Sequence, residues 1–245
     1  EGTRKRKPSG PCAAHRARTV FMGEETKISE KKQGEEVSPA ADFLIEEAMR
    51  EDEKPLFVLC IGAITNVASA MMKEKEIAKH MTIVWIGGQG HAYSTPEVRE
   101  FNAGNDVEAI NYVLNSGVTF WQIPNDVYGK MRISLAEIER RIAPCGKIGR
   151  HLFENMETYN HSEHAGWTAG ESWTLGDSPA VGVVLDPDCG FYHETEAPII
   201  LDDTTNKFEK GRPKIRVYTS VDSRFILEDF IAKLEVLYGK DSDTK

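Results

Sequence analysis

The sequence predicts an α/β fold: an open, mostly parallel sheet with helices on both faces. Three runs, PLFVLCIG (55–62), TIVWIGG (82–88) and VTFWQIP (118–124), are nearly all apolar, strand-length and bounded by proline or glycine. Between them stand stretches with apolar residues at helical spacing. The two kinds alternate along the chain, as in βαβ units feeding a parallel sheet.

The elements follow in order. Residues 1–37 stand apart, with RKRK (4–7), HRAR (15–18) and the polar run EETKISEKKQGEE, and little apolar periodicity. They predict an irregular basic and polar segment rather than a nucleic-acid arm. One α/β domain is expected over 38–240, with a short tail at 241–245. Ser38-Pro39 predicts a helix start, a capping hydroxyl followed by proline at the first helical position, and the helix runs to about Arg50. After the first strand, residues 64–81 read as helix, and 82–88 as the second strand. Residues 106–117 are helical and end at Gly117, which suits a left-handed cap. The third strand follows, then helices at 134–142 and 147–160.

Composition narrows the function. Of 245 residues, 40% are hydrophobic and 28% charged, ordinary for a globular protein. The net charge of −9 argues against nucleic acid or an anionic membrane as partner. The longest unbroken apolar run, 56–64, is about half the roughly 20 residues that span a bilayer, and no signal-peptide pattern is present. Cys12, Cys60, Cys145 and Cys189 form no CxxC pair, so reduced thiols and a reducing, cytoplasmic compartment are expected. HSEH (161–164) lacks the spacing that sets two zinc ligands on one helical face. Asp202-Asp203 and the DPD at 186–188 read as turns. No GxSxG, GxGxxG or P-loop supports nucleophilic or phosphate chemistry.

One stretch remains, STPEVREFNAGND (94–106), which sets Glu100, Asn102, Asn105 and Asp106 just after the second strand. Asn66 and Asn125 follow the ends of the first and third strands. Ligands in open parallel sheets bind beyond the carboxyl ends of the strands, so these loops predict a pocket there. A solvated polar loop is the plainer alternative.

GAITNVASAM (62–71), IVWIGG (83–88), TPEVREFNAGNDVEAINYVLNSG (95–117) and LGDSPAVGVVL (175–185) together resemble, in matching order, the inosine–uridine nucleoside hydrolases; RVYTSVDSRFILEDFIAKL (216–234) is similar to the C-terminal end of a divergent branch. The resemblance implies a Ca²⁺-dependent hydrolase of N-glycosidic bonds acting on nucleosides or related N-glycosides, and commonly a homo-dimer or homo-tetramer. It implies that Thr65 gives its carbonyl to calcium and that Asp177 binds both the metal and a ribose hydroxyl. It further implies that Glu100 and Asn102 hold ribose hydroxyls and that Ile86 lies beside the sugar. Trp173, or Trp167, could stack on a flat leaving group. The alternatives are structural: Thr65-Asn66 and Asp177 as helix caps, Glu100 and Asn102 as solvated loop.

Two departures from that pattern stand out. The family's aspartate-rich loop, which supplies the general base and most calcium ligands, has no counterpart, since no aspartate precedes Asp42. Gly176 stands where many purine-active members place a histidine, so the catalytic residues are unassigned; His91, His161 and His164 are substitutes to weigh. With Asp177 and one carbonyl as ligands, weak or no calcium binding and little hydrolysis are expected. The alternative is a non-catalytic ribose-binding or scaffold remnant.

Overall fold

The computed structural model describes residues 20–31, 36–166, 168 and 170–239. RKRK, HRAR, Cys12, Trp167 and the 241–245 tail therefore lie outside the described residues.

In chain order the elements are α1 (Pro39–Met49), β1 (Leu56–Cys60), α2 (Thr65–Lys73), β2 (Met81–Ile86), α3 (Phe101–Asn105), α4 (Val107–Asn115), β3 (Thr119–Ile123) and α5 (Asn125–Tyr128). There follow β4 (Arg132–Ser134), α6 (Leu135–Glu137), α7 (Gly146–Asn160), β5 (Ser172–Thr174), α8 (Ser178–Leu185), β6 (Gly190–Glu196), β7 (Ile199–Ile200), β8 (Asn206–Lys207), β9 (Lys214–Val221) and α9 (Ser223–Tyr238). A main sheet of order β1-β2-β3-β9-β6 runs parallel except for β6, which pairs antiparallel with β9.

Burial explains why the strands read as continuous apolar runs. Along β2, Ile83 and Trp85 enter a core with α1, α2 and α4, while Val84 and Ile86 enter a second core with α5, α8 and α9. Alternate side chains leave a strand on opposite faces, so a strand covered on both sides must be apolar at every position. β1 is less covered: among the described residues it pairs with β2 alone, and Leu59 is exposed. A third core joins α7 and α9 to the β4–β5 pair. On the far side of the sheet the Arg216 guanidinium lies between the rings of Trp121 and Tyr192, 4.3 and 3.9 Å from their centroids, a cation–π stack tying β3, β9 and β6 together.

Local structure follows the expected signals with two corrections. Ser38 caps α1, its Oγ accepting from Ala41 N at 3.2 Å. Gly117 adopts φ +79° just after α4. The helix expected over 64–81 instead stops at Lys73 and resumes as a 3-10 turn, Lys75–Lys79, before β2 begins at Met81. Glu74 sits extended at the break and its side chain accepts from Glu76 N, starting the new turn. The helix expected over 134–142 splits into α6 and a π-helical turn, Ile138–Ile142, whose wider winding places Ile138 and Ile142 in the third core. The turns at Asp186 and Asp203 form as expected, each carboxylate accepting from the amide two residues on.

Candidate active site

The carboxyl ends of β1, β2 and β3 open onto one cavity of about 870 Å³. Ile61, Ile86 and Asn125 line it from the sheet; Glu100 and Asn102 from the β2–α4 connection; Tyr128 and Arg132 from the segment after β3; Trp173, Gly176 and Asp177 from the segment before α8. The parallel strands β1, β2 and β3 deliver their loops to one edge, and the segment between β5 and α8 brings Asp177 to the same cavity.

The double glycine that ends the IVWIGG run makes this wall possible. A Cβ on Gly87 would stand 2.3 Å from the Trp85 ring, and Gly88 has φ +77°. Only glycine fits both demands. The turn so formed directs the Gly88 amide at Glu100 Oε2, 2.7 Å away.

Glu100 is 2% exposed, and its carboxylate is saturated. Oε2 accepts from Gly88 N and Ala103 N, and Oε1 from Asn102 N and the Tyr128 hydroxyl at 2.8 Å. A carboxylate has about four acceptor positions, so all are engaged. Glu100 is the N-cap of α3 and the joint between β2, α3 and α5. Its amide donates to the Thr204 hydroxyl at 2.8 Å. Thr204 is fully buried at φ 69°, unfavourable for a β-branched residue, and so marks a tightly constrained support behind the wall.

Asn102 donates its side-chain amide to Ile86 O at 2.8 Å. Its Oδ1 accepts nothing among the described residues, and the side chain lines the cavity. Asp177 stands at the N-cap position of α8 but its side chain caps nothing. Partial burial pushes its carboxyl pKa up from the ordinary aspartate value. Trp173 packs edge-on against Tyr159, centroids 5.8 Å apart, and both line the cavity.

Glu100, Asn102, Ile86, Trp173 and Asp177 are therefore brought together, and Thr65 is not among the lining residues. The Thr65 hydroxyl, buried at the start of α2, donates to Asp106 Oδ2 at 2.8 Å, and Asn66 Oδ1 accepts from Glu24 N and Ser38 Oγ. Asn66 thus ties the N-terminal segment and the start of α1 to α2, and Thr65 ties α2 to the cap of α4. Of the histidines, His164 lines the cavity, His161 bonds the Glu157 carbonyl, and His91 bonds Gln122 and packs on Phe208. Burial lowers the His91 pKa.

Sequence reasoning missed Tyr128 and Arg132. Tyr128 also explains Gly176: a Cβ there would meet the Tyr128 ring at 3.1 Å. Burial first, and then the neighbouring Glu100 carboxylate, push the Tyr128 phenol pKa up, keeping it a hydrogen-bond donor. The available signal was an aromatic one turn past the polar end of β3, which carries weight only once its partner is known.

The described residues do not fit a calcium site. No group of three or more His, Cys, Asp or Glu side chains among them comes together to hold a metal. Glu100 is already engaged, which leaves Asp177 as the lining carboxylate without a chain partner, against the six to eight oxygens that calcium takes.

Comparison with known proteins bears on the family and the fold. A family model described as "Inosine-uridine preferring nucleoside hydrolase" matches residues 7–228. The chain is 28% identical over 171 residues to a pyrimidine-specific ribonucleoside hydrolase RihA of Shewanella sp. (strain ANA-3), covering 66% of this chain and 53% of that protein. The same-named protein of Salmonella agona (strain SL483) is 30% identical over 185 residues, covering 74% and 58%. The chain thus spans a little over half the length of these curated relatives. Among solved structures, a purine-preferring ribonucleoside hydrolase from Gardnerella vaginalis superposes with a TM-score of 0.69 at 23% identity, over 85% of this chain and 68% of the other. A plant nucleoside hydrolase, PpNRh1, gives 0.66 at 19% identity, over 80% and 66%. At these identities the two structures speak for the fold alone.

Proposed function

Since the chain belongs to the inosine–uridine preferring nucleoside hydrolase family, we propose that its cavity binds a nucleoside or related N-glycoside by the ribose for cleavage of the N-glycosidic bond. One observation carries the reading: the cavity at the strand ends combines an unengaged carboxylate, an unengaged amide oxygen, an apolar floor and an aromatic wall.

The roles follow from what each side chain still has to offer. Asn102 Oδ1 and the Asp177 carboxylate, half-buried and exposed respectively and both on the cavity wall, accept from ribose hydroxyls. Ile86 lies under the apolar face of the sugar. Glu100 holds the wall, and reaches a ribose hydroxyl by exchanging the bond it receives from Tyr128. Trp173 and Tyr159 face a flat leaving base.

Of the lining carboxylates, Glu100 is engaged by four donors and Asp177 faces the sugar, which leaves neither to deprotonate a water. That favours a second reading in which this chain binds ribose without cleaving it. The experiment is calorimetric titration with uridine and D-ribose beside chromatography for released uracil. Saturable binding of both, weakened in Asn102→Ala, supports the ribose cavity, and uracil release separates hydrolase from binder. Absence of binding by either ligand rejects both readings.

A further inference from the structure

The leaving-group side of the cavity carries a permanent cation. Arg132 and Thr174 are register partners across β4 and β5, and both line the cavity. Arg132 and Thr174 project from one face of the pair, and Trp173, the neighbour of Thr174, leaves the other; all three nonetheless line the one cavity with Tyr159. Arg132 is exposed, and its guanidinium makes no hydrogen bond or ion pair among the described residues. The proton donors around it are otherwise occupied or remote. The Tyr128 hydroxyl is given to Glu100, Gly176 has no side chain, and the His164 side chain is 73% exposed at the rim with Glu163 3.9 Å away. Arginine keeps its proton at all working pH values. It cannot hand a proton to a departing base, but it can hold negative charge.

Building on the nucleoside reading above, we propose that Arg132 sets specificity by holding a pyrimidine-type base that leaves as its anion. In that step the bond from C1′ to the base nitrogen breaks and its electron pair goes to the base, where charge spreads onto the ring carbonyl oxygens. The guanidinium donates to those oxygens, and such charge-assisted bonds are the strong ones. A water oxygen bonds to C1′ and releases one proton, and the base regains one from solvent after it departs. A hold of this kind on the departing charge is strongest with a carbonyl next to the glycosidic nitrogen. Uracil has one; a purine attached through its imidazole nitrogen does not.

The test uses the full chain and free bases, because binding of a leaving group needs no turnover. 5-Fluorouracil, more acidic than uracil, is titrated calorimetrically below and above its own ionisation, with adenine as comparison. Wild-type affinity for 5-fluorouracil is expected to rise with pH. Arg132→Gln should bind the anion about 10- to 100-fold more weakly and lose the pH dependence, Arg132→Lys should keep part of both, and adenine should respond to neither substitution. Equal binding by Arg132→Gln and wild type, or affinity that ignores pH, overturns the assignment. D-ribose titrated in parallel keeps the two ideas apart. Loss of ribose binding alone rejects the nucleoside reading, whereas intact ribose binding without base recognition rejects the role of Arg132.

Discussion

The Tyr128 hydroxyl donates to Glu100 Oε1 across 2.8 Å, linking the short helix after β3 to the cap of α3. Glu100 is 2% exposed, while Tyr128 is half-buried on the cavity wall. Tyr128→Phe removes one donor and leaves three. Loss of a hydrogen bond to a buried charge costs about 1.5–3 kcal/mol, to be read from urea denaturation. Ribose affinity should hold or rise, because one Glu100 position is freed. A fall in ribose affinity matching the stability loss would contradict the exchange proposed for Glu100.

Thr204 supports the same wall from behind. Thr204→Ala strands the Glu100 amide and one bond of the Gln89 side chain, at about 1–3 kcal/mol for groups left buried and unpaired. Thr204→Gly loses the same bonds but relieves the left-handed backbone at φ 69°, worth about 1–2 kcal/mol. The glycine variant should therefore be the more stable of the two in denaturant titration.

Gly87→Ala forces a methyl against the Trp85 ring, 2.3 Å from its nearest atoms. Overpacking of this kind costs about 1–3 kcal/mol. Because the Gly88 amide that follows holds Glu100, ribose binding should weaken together with stability. An alanine variant with wild-type melting and binding would show that the turn can shift freely.

Partial burial raises the Asp177 pKa. The folded chain then keeps this proton to higher pH than the unfolded chain, whose aspartate releases it near pH ~3.9. Stability is undiminished by Asp177 below that value and falls as pH rises through the raised folded pKa. Asp177→Asn should gain relative to wild type across this window and run parallel above it, measured as denaturation midpoints at several pH values. A difference that is flat with pH would show that the carboxyl is not shielded.

Calorimetric titration with Ca²⁺ should give no tight, saturable binding to this chain, since its lining carboxylates offer Asp177 alone beyond the engaged Glu100. Tight binding lost in Asp177→Ala would mean that further oxygens converge there.

Much of the scaffold could be read from the sequence because apolar runs and turn residues act locally. LFVLC, IVWI and TFWQI are strands for the same reason they look like strands: both faces of a parallel sheet want hydrocarbon. The pocket's position followed from the strand ends, and Glu100, Asn102, Ile86, Trp173 and Asp177 do line one cavity. What the sequence hid was how Glu100 is employed. EFN reads the same whether its carboxylate awaits a ligand or is closed by four donors, and those donors come from the turn after β2, from α3 and from α5. Tyr128 was invisible for the same reason, its meaning arising only beside Glu100 and Gly176. The break at Glu74 escaped because KEKE carries no apolar period to lose.

The outer margin of β1 has a practical consequence. Its peptide groups on that side pair with nothing among the described residues, and Leu59 and Ile61 beside them are 37% and 54% exposed. Such a bare apolar border recruits any extended backbone that comes near. Purification at high concentration will favour clumping along this seam, and a lysine in place of Leu59 is the gentlest way to keep the chains apart, since Leu59, unlike Ile61, does not line the cavity.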